Sequence, residues 1–407
     1  MLADIAGFLQ IDPWPPAPGP LFWLSLALVA GALLGEAVQR LLAIPRIVGY
    51  GAVGMLLAAA GFGLQAGQLP GALRWVVDLA LGVLMFELGS RVRLAWLRDN
   101  PWLLATSLLE SLLSFAAATA VLRSFGFDWG VALTGAAIVV PVSAAVVGRV
   151  AGDLGAAGQV TERLIVLTAL NTLFGVLAHK LLTGWLHLDQ AGDWVRAVSQ
   201  PLWAFAGSVL LAAVLARLVG LVARRLDLRH ENSVLLLLGL IVVAQLVATQ
   251  LNLSTLLLPL LAGVLLRNTS DRPWVWPRHF GTAGGVLVLM LFVIVGAAWS
   301  PAMVPVGLAA ALALLLARAL AKLLAVQALA RVSGLEQRQG LGLSLALTPI
   351  SGTALVLYVE TAAAHPTVAA AIAPVILSAI AVMELLGPLA VQWGLKFARE
   401  QAPGAPR

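Results

Sequence analysis

Residues 136–146 (AAIVVPVSAAV) and 344–354 (SLALTPISGTA) constrain this chain more than any other feature. Each is an apolar run interrupted near its middle, at Pro141 and at Pro349. Proline removes a backbone donor, clashes with the preceding turn and drives the residue before it out of helical geometry. Each run therefore predicts two half-helices joined by irregular backbone. At membrane depth such backbone survives only where protein or a polar cavity satisfies it. A matched pair of interrupted helices in two halves of a membrane protein points to a transport site near the bilayer midplane.

Lipid as the main solvent follows from composition: 61% of residues are hydrophobic, 11% are charged, and the mean hydropathy is +0.97. Apolar runs long enough to span fall at roughly 21–38, 47–63, 73–90, 102–123, 129–149, 161–183, 200–222, 232–250, 252–267, 280–298, 302–330, 338–360 and 367–395. The expected fold is an all-α polytopic membrane protein of about thirteen transmembrane helices, whose fifth and twelfth are the broken pair. Basic residues should favour the cytoplasmic side of alternate loops. Arg40, Arg46, Arg91, Arg93, Arg98, Arg149, Arg163, Arg224, Arg225, Arg229, Arg267, Arg272, Arg278, Arg331, Arg338, Lys396, Arg399 and Arg407 fall on one side; Arg74, Arg123, Lys180 and Arg196 fall on the other. The N-terminus is then outside and the C-terminus inside. The net charge of +6 is a topology signal rather than a nucleic-acid patch. Residues 1–20 lack a basic n-region and read as a short external segment.

An odd number of helix steps separates the two broken spans, so they cross in opposite directions and the repeat is inverted. Applied to the flanking spans, the same offset pairs the fourth with the eleventh and the sixth with the thirteenth. The whole of 1–407 reads as one transmembrane transporter domain. Its core helices lie at about 102–183 and 302–395, its scaffold helices at about 21–90 and 232–298, and a linker helix at about 200–222. No soluble regulatory domain is expected, and the last dozen residues read as a polar tail.

Ionisable groups at the bilayer centre cost roughly 2.5–3.5 kcal/mol by insertion scales, so each needs a partner or a purpose. At ~1.5 Å per helical residue, Glu110, Lys322, Arg318 and Glu384 all sit near mid-depth on helices of the two repeat units. Glu110 and Arg318 hold equivalent repeat positions. Lys322 is the leading transport candidate against a structural ion pair or a snorkelling chain. Arg318 shares its face at i,i+4, so the two repel unless a carboxylate or a half-helix C-terminus intervenes. Glu384 is a secondary candidate, equally readable as structural. Asp78 pairs locally with Arg74 in this reading, and His179, beside Lys180, is interfacial. Ser143, Ser351 and Thr353 follow the breaks, where hydroxyls cap freed backbone groups with or without an ion. Thr348 fits an N-cap ahead of Pro349; Val140 cannot do this for Pro141, so the first break needs another partner.

Enzyme chemistry finds no support. There is no phosphate loop, cysteine is absent, and the five histidines are scattered. No cofactor is expected, and no metal beyond a transported cation.

Several segments, in order, resemble one family. Ile44-Pro45-Arg46-Ile47-Val48-Gly49-Tyr50 is similar to an I-P-x-V-x-G-Y start of a second span, and 78–86 to an E-L-G-x-x-L-L-F helix. Val139-Val140-Pro141 stands where many members have Thr-Ser-Pro or Thr-Asp-Pro, and Lys322-Leu323-Leu324-Ala325-Val326 resembles a segment carrying a buried lysine or arginine. Ser351-Gly352-Thr353-Ala354-Leu355-Val356 resembles the second crossover, and Glu384-Leu385-Leu386-Gly387-Pro388 the last helix. The family is the monovalent cation:proton antiporter superfamily, particularly its Kef/Nha-like branch of sodium/hydrogen exchangers. The resemblance implies an inverted-repeat fold with a dimerisation domain and a six-helix core. It also implies alternating access, usually as a homodimer, and a cation carboxylate on the sixth span. Members carry Asp-Asp or Asn-Asp there; this chain has Asn171-Thr172, which cannot titrate.

The reading is an inner-membrane secondary transporter of a bacterium, exchanging Na+ or K+ for protons through an atypical site without the usual aspartate. Asn171, Thr172, Ser143, Ser351 and Thr353 would line the site. Glu110 would be the alternate carboxylate, and Lys322 would compensate the half-helix termini. Two other readings stand beside it: an organic-anion symporter of the same fold using Lys322 and Arg318, and a transport-inactive sensor or scaffold.

Overall fold

Periods of apolar residue broken by short polar links become helices throughout. The computed structural model describes residues 20–62, 64, 71–225, 231–269 and 280–402. The expected external N-terminal segment lies outside them, as do Arg229, Arg272, Arg278 and Arg407 of the charge pattern.

The chain runs through α1 (Pro20–Leu42), α2 (Arg46–Leu57, continued by a wider turn over Ala58–Phe62), α3 (Gly71–Ser90) and the short α4 (Leu94–Asp99). A first unit follows: α5 (Pro101–Ser124), the half-helices α6 (Trp129–Val139) and α7 (Ala144–Asp153), and α8 (Gln159–Ala191). Then come α9 (Trp194–Arg225), α10 (Glu231–Gln250), α11 (Leu257–Thr269) and α12 (Phe280–Ala297). A second unit repeats the order of the first: α13 (Val304–Ala330), the half-helices α14 (Gln337–Ala346) and α15 (Gly352–Ala364), and α16 (Pro366–Phe397).

This is the all-helical, inverted-repeat architecture expected, with both breaks where proline placed them. Among the described residues, seven spans are long and apolar enough to cross a membrane, and shorter apolar helices accompany them. Every apolar run of the sequence falls on one of these helices or on a broken pair. Boundaries move most at α8 and α9, which outrun the expected 161–183 and 200–222, and at α11, which begins at Leu257 rather than near 252.

Local chemistry explains several ends. Pro101 and Pro366 open α5 and α16 at first-turn positions, where a missing N–H costs nothing. Glu336 and Gln339 form a reciprocal capping box at the start of α14. Helix α8 has Gly158 at its N-cap position and takes its cap from far along the chain: Glu400 accepts hydrogen bonds from Val160 N (2.7 Å), Thr161 N (2.7 Å) and Thr161 Oγ1 (2.8 Å). The backbone adds Ala157 N to Glu400 O (3.1 Å) and Ala402 N to Leu154 O (3.2 Å). The chain just past α16 is therefore docked back onto the α7–α8 link through at least Ala402. The physical reason is electrostatic: orphan N–H groups at a helix start attract a carboxylate.

The largest apolar cluster joins both repeat units with α2, α3 and α12, while a second, smaller one is built by α3, α9, α10 and α11. Helices α5 and α13, equivalent under the repeat, pack closely along their lengths. Their contact, together with the two breaks, frames the centre of the molecule.

Candidate ion site at the crossing of the broken helices

Helix α5 carries Ser107, Glu110, Ser111 and Ser114 at positions i, i+3, i+4 and i+7, which places them on one face. All four are buried, Glu110 completely. Its carboxylate makes direct ionic contact with Lys322 Nζ of α13, itself fully buried. Neither Glu110 oxygen, nor Lys322 Nζ, has a conventional hydrogen bond. The two charges thus depend on each other at a depth where either alone would be costly.

Beside them on α5, Ser107 Oγ (3.1 Å) and Ser111 Oγ (2.9 Å) donate to Asn171 Oδ1 on α8. Asn171 is completely buried, and its Nδ2 has no partner. An amide with both carbonyl lone pairs engaged and its donors idle orients its polarity firmly. Thr172 does something different: its hydroxyl donates to Thr168 O of its own helix at 2.9 Å, a back-bond that returns the polar group to the backbone.

Arg318 lies one helical turn from Lys322 and does not reach Glu110. Its Nε donates to Val139 O at 2.6 Å, its Nη2 to Pro141 O at 3.2 Å, and its Nη1 to Thr348 O. A single buried guanidinium therefore ties the end of α6 to the end of α14. The planar fork suits this work, because helix C-termini present unpaired carbonyls with partial negative charge. Here is the partner that the first break required. Arg318 holds the position facing the half-helix termini that was expected of Lys322, and Lys322 faces the carboxylate. The repulsion expected between them is relieved by both devices at once.

The breaks also touch each other. Ser143 N donates to Pro349 O at 2.9 Å, and Ser143 Oγ caps α7 by accepting from Val146 N at 3.3 Å. Thr348 is not an N-cap: its hydroxyl donates back to Leu345 O at 2.8 Å and closes the end of α14, and α15 begins only at Gly352. Ser351 takes the N-cap position of α15, but its hydroxyl donates to Glu384 Oε2 of α16 at 2.7 Å rather than to the backbone. Thr353 Oγ1 is buried without a partner. The Pro141 ring sits against Gly175 of α8 and Pro349 against Gly387 of α16, where a Cβ would collide or crowd.

The expected site residues thus divide into two groups. Glu110, Lys322 and Asn171 meet around α5, joined by Ser107 and Ser111, which sequence reasoning passed over. Ser351 and Glu384 meet at the second break. Arg318, Pro141, Pro349 and Ser143 form the connecting frame, and Thr172 is turned to its own helix.

A further polar cluster lies at the α8–α9 end. Lys180 Nζ donates to Glu360 Oε2 at 2.8 Å, and His179 Nε2 meets Thr361 Oγ1 at 2.8 Å, linking α8 to α15. His179, Lys180 and Glu360 line a cavity of about 570 Å³ shared with Arg74, His187 and α9. His179 is buried within the protein. Asp78 and Arg74 do form the expected local pair, at 3.9 Å. Among the described residues no group of three or more His, Asp or Glu could hold a metal ion.

The sequence model of the family described as "Sodium/hydrogen exchanger, transmembrane" matches residues 24–396. No curated protein sequence matches the chain. Two solved structures of the sodium proton antiporter MjNhaP1 from Methanocaldococcus jannaschii share its fold. One, determined at pH 8, aligns with a TM-score of 0.66 at 15% identity over 94% of this chain and 98% of the other. An electron-microscopy structure aligns at 0.73 and 16% identity over the same shares.

Proposed function

Because the chain belongs to the sodium/hydrogen exchanger family, we propose that it is a secondary transporter exchanging a monovalent cation, Na+ or K+, for protons by alternating access. The carrying observation is the buried contact between Glu110 and Lys322. A site that binds a proton and a metal ion in turn needs a group that changes charge, and neither Asn171 nor Thr172 does so. Glu110 supplies the carboxylate that the sixth span lacks.

The exchange balances as follows. A cation entering the pair takes the Glu110 carboxylate from Lys322; the lysine, left without its counter-charge in an apolar interior, releases its proton to the solution the cation came from, and once the site faces the other side a proton taken up there restores the ammonium and displaces the cation. One positive charge replaces another, so the pair stays neutral overall and neither state leaves a bare charge at depth. Asn171, held by Ser107 and Ser111, adds amide polarity next to this site. Arg318 keeps the half-helix ends neutralised throughout and is a positioning residue.

Symport of an organic anion would need Lys322 or Arg318 free to meet it. Lys322 is committed to Glu110 and Arg318 to carbonyls of both breaks. The antiport reading extends to a multi-pass protein of the bacterial inner membrane, N-terminus outside, working as a homodimer. The test is purified protein in liposomes loaded with a pH-sensitive dye and pulsed with Na+, K+ or Li+. At least one cation should move protons above the empty-vesicle baseline, and Glu110→Gln should cut the movement sharply. Silence from all three ions would sink the antiport reading.

A further inference from the structure

Glu384 is the other mid-depth carboxylate of the repeat units, and it differs from Glu110 in having no counter-charge. It is completely buried. Oε2 accepts the Ser351 hydroxyl at 2.7 Å, while Oε1 has no partner. The charged side chains on the elements packed around it are engaged elsewhere. On α13, Lys322 contacts Glu110 and Arg318 holds the breaks. On α14, Arg338 donates to Phe397 O, and on α15, Glu360 pairs with Lys180. On α7, Arg149 pairs with Asp153, and on α2, Arg46 pairs with Glu36. Two tyrosines stand on these elements as well, Tyr50 on α2 and Tyr358 on α15, and α6 and α12 bring no ionisable side chain. Lys396, on α16 itself, lies three turns away.

An unpaired carboxylate at this depth has to be neutralised by something that binds it. Its surroundings are those of a built site. A hydroxyl is aimed at it from the start of α15, and a second buried hydroxyl without a partner, Thr353, lies two residues further on. Gly51 of α2 packs against the same side chain, where even a Cβ would come within 2.6 Å of Glu384 Cγ. What meets the side chain there is bare backbone, on a helix outside both repeat units.

We propose that Glu384 and Ser351 form a second exchange site, in which the carboxylate holds a proton and a monovalent cation alternately, with α2 at Gly51 packed against the side chain. The step is a simple replacement: the cation binds the carboxylate, the O–H bond breaks, and the proton leaves to solvent. The proposal rests on the reading that the chain exchanges cations for protons, and adds a carboxylate that the Glu110–Lys322 pair does not use.

Dicyclohexylcarbodiimide tests it, because this apolar reagent modifies protonated carboxyls in apolar surroundings and the product is located by mass spectrometry without any transport. In the wild-type protein Glu384 should be labelled and Glu110, held by Lys322, should not. Na+, K+ or Li+ should slow labelling of Glu384, by about tenfold at ten times the dissociation constant, relative to choline. Ser351→Ala, which removes a ligand without touching the carboxylate, should weaken that protection and keep the labelling. Absence of label on Glu384, or labelling at one rate with every cation, overturns the second site. The liposome assay reads separately: if the wild type exchanges ions while Glu384 is unprotected, this inference alone falls. If no cation moves protons, the antiport reading falls with it.

Discussion

Lys322 and Glu110 neutralise each other in a place that offers neither of them a substitute partner. Removing one member of a buried pair costs roughly 3–5 kcal/mol, because the survivor keeps its desolvation penalty, while replacing both is often close to neutral. Lys322→Met should therefore lower the melting temperature in detergent sharply, and Glu110→Gln with Lys322→Met should recover much of the loss. Thermal unfolding of the two single variants and the double checks this. Additive losses would mean that the two side chains do not depend on each other. The depth of both groups is readable from the sequence, since each lies a fixed number of residues from a span end. Their facing is not, because depth leaves the rotation of α5 against α13 open. The serines are an intermediate case. Ser107, Ser111 and Ser114 repeat with Glu110 at helical spacing on one face of α5, a signal open to inspection; the acceptor of Ser107 and Ser111, Asn171, is reached only through the packing of α8 on α5.

The two interrupted helices carry a more general lesson about proline. Pro201, Pro374 and Pro388 lie inside continuous helices, whereas Pro141 and Pro349 mark breaks. What distinguishes the breaking prolines is the residue two positions on. Ser143 and Ser351 both stand at the N-cap position of a new half-helix, Ser143 capping its backbone and Ser351 turning its hydroxyl to Glu384, and the other three prolines are followed there by Trp203, Ile376 and Ala390. That much is local and legible. The guanidinium that satisfies the preceding half-helices comes from Arg318, almost 180 residues beyond Val139 in sequence, and no local pattern announces it. Arg318→Lys keeps the charge but replaces a planar fork by one ammonium, which cannot reach carbonyls of both breaks together. A loss of about 1.5–3 kcal/mol is expected, the worth of one charge-assisted hydrogen bond. Proton flux should fall with stability even though no proton-carrying group has changed. Gly175→Ala should act on the same joint through crowding: a methyl group against the Pro141 ring forces α8 away from the break, at about 1–3 kcal/mol. Both changes are read by thermal unfolding alongside the liposome assay, and unchanged melting in both would mean that the breaks are held by other contacts.

Across the whole molecule, α8 of the first repeat unit is fastened to the second unit at both ends. At the α8–α9 end Lys180 pairs with Glu360 and His179 with Thr361. At the other, Glu400 caps the α8 N-terminus and Arg163 donates to Ser333 O at 2.6 Å. Hydropathy and charge alternation reach as far as the order of spans and the pairing of units, because those depend on sequence period and loop composition alone. They do not reach these fastenings, which join residues far apart in the chain and rest on single polar groups in loops and helix starts. Glu400 tests how much the fastening is worth. It substitutes for a cap that Gly158 cannot provide, at a residue with φ of 151° and with the Glu400 carboxylate packed against it. Losing an N-cap side chain costs about 0.5–2 kcal/mol, and a negative charge at a helix start adds a further fraction of that scale. Glu400→Ala should therefore lower the melting temperature measurably. Glu400→Gln, which keeps a single carbonyl oxygen in place of two charged acceptors, should fall between it and the wild type. If instead the alanine variant melts with the wild type while Lys180→Met does not, the two repeat units are held together from the cavity end, and the docked segment beyond α16 contributes only its backbone.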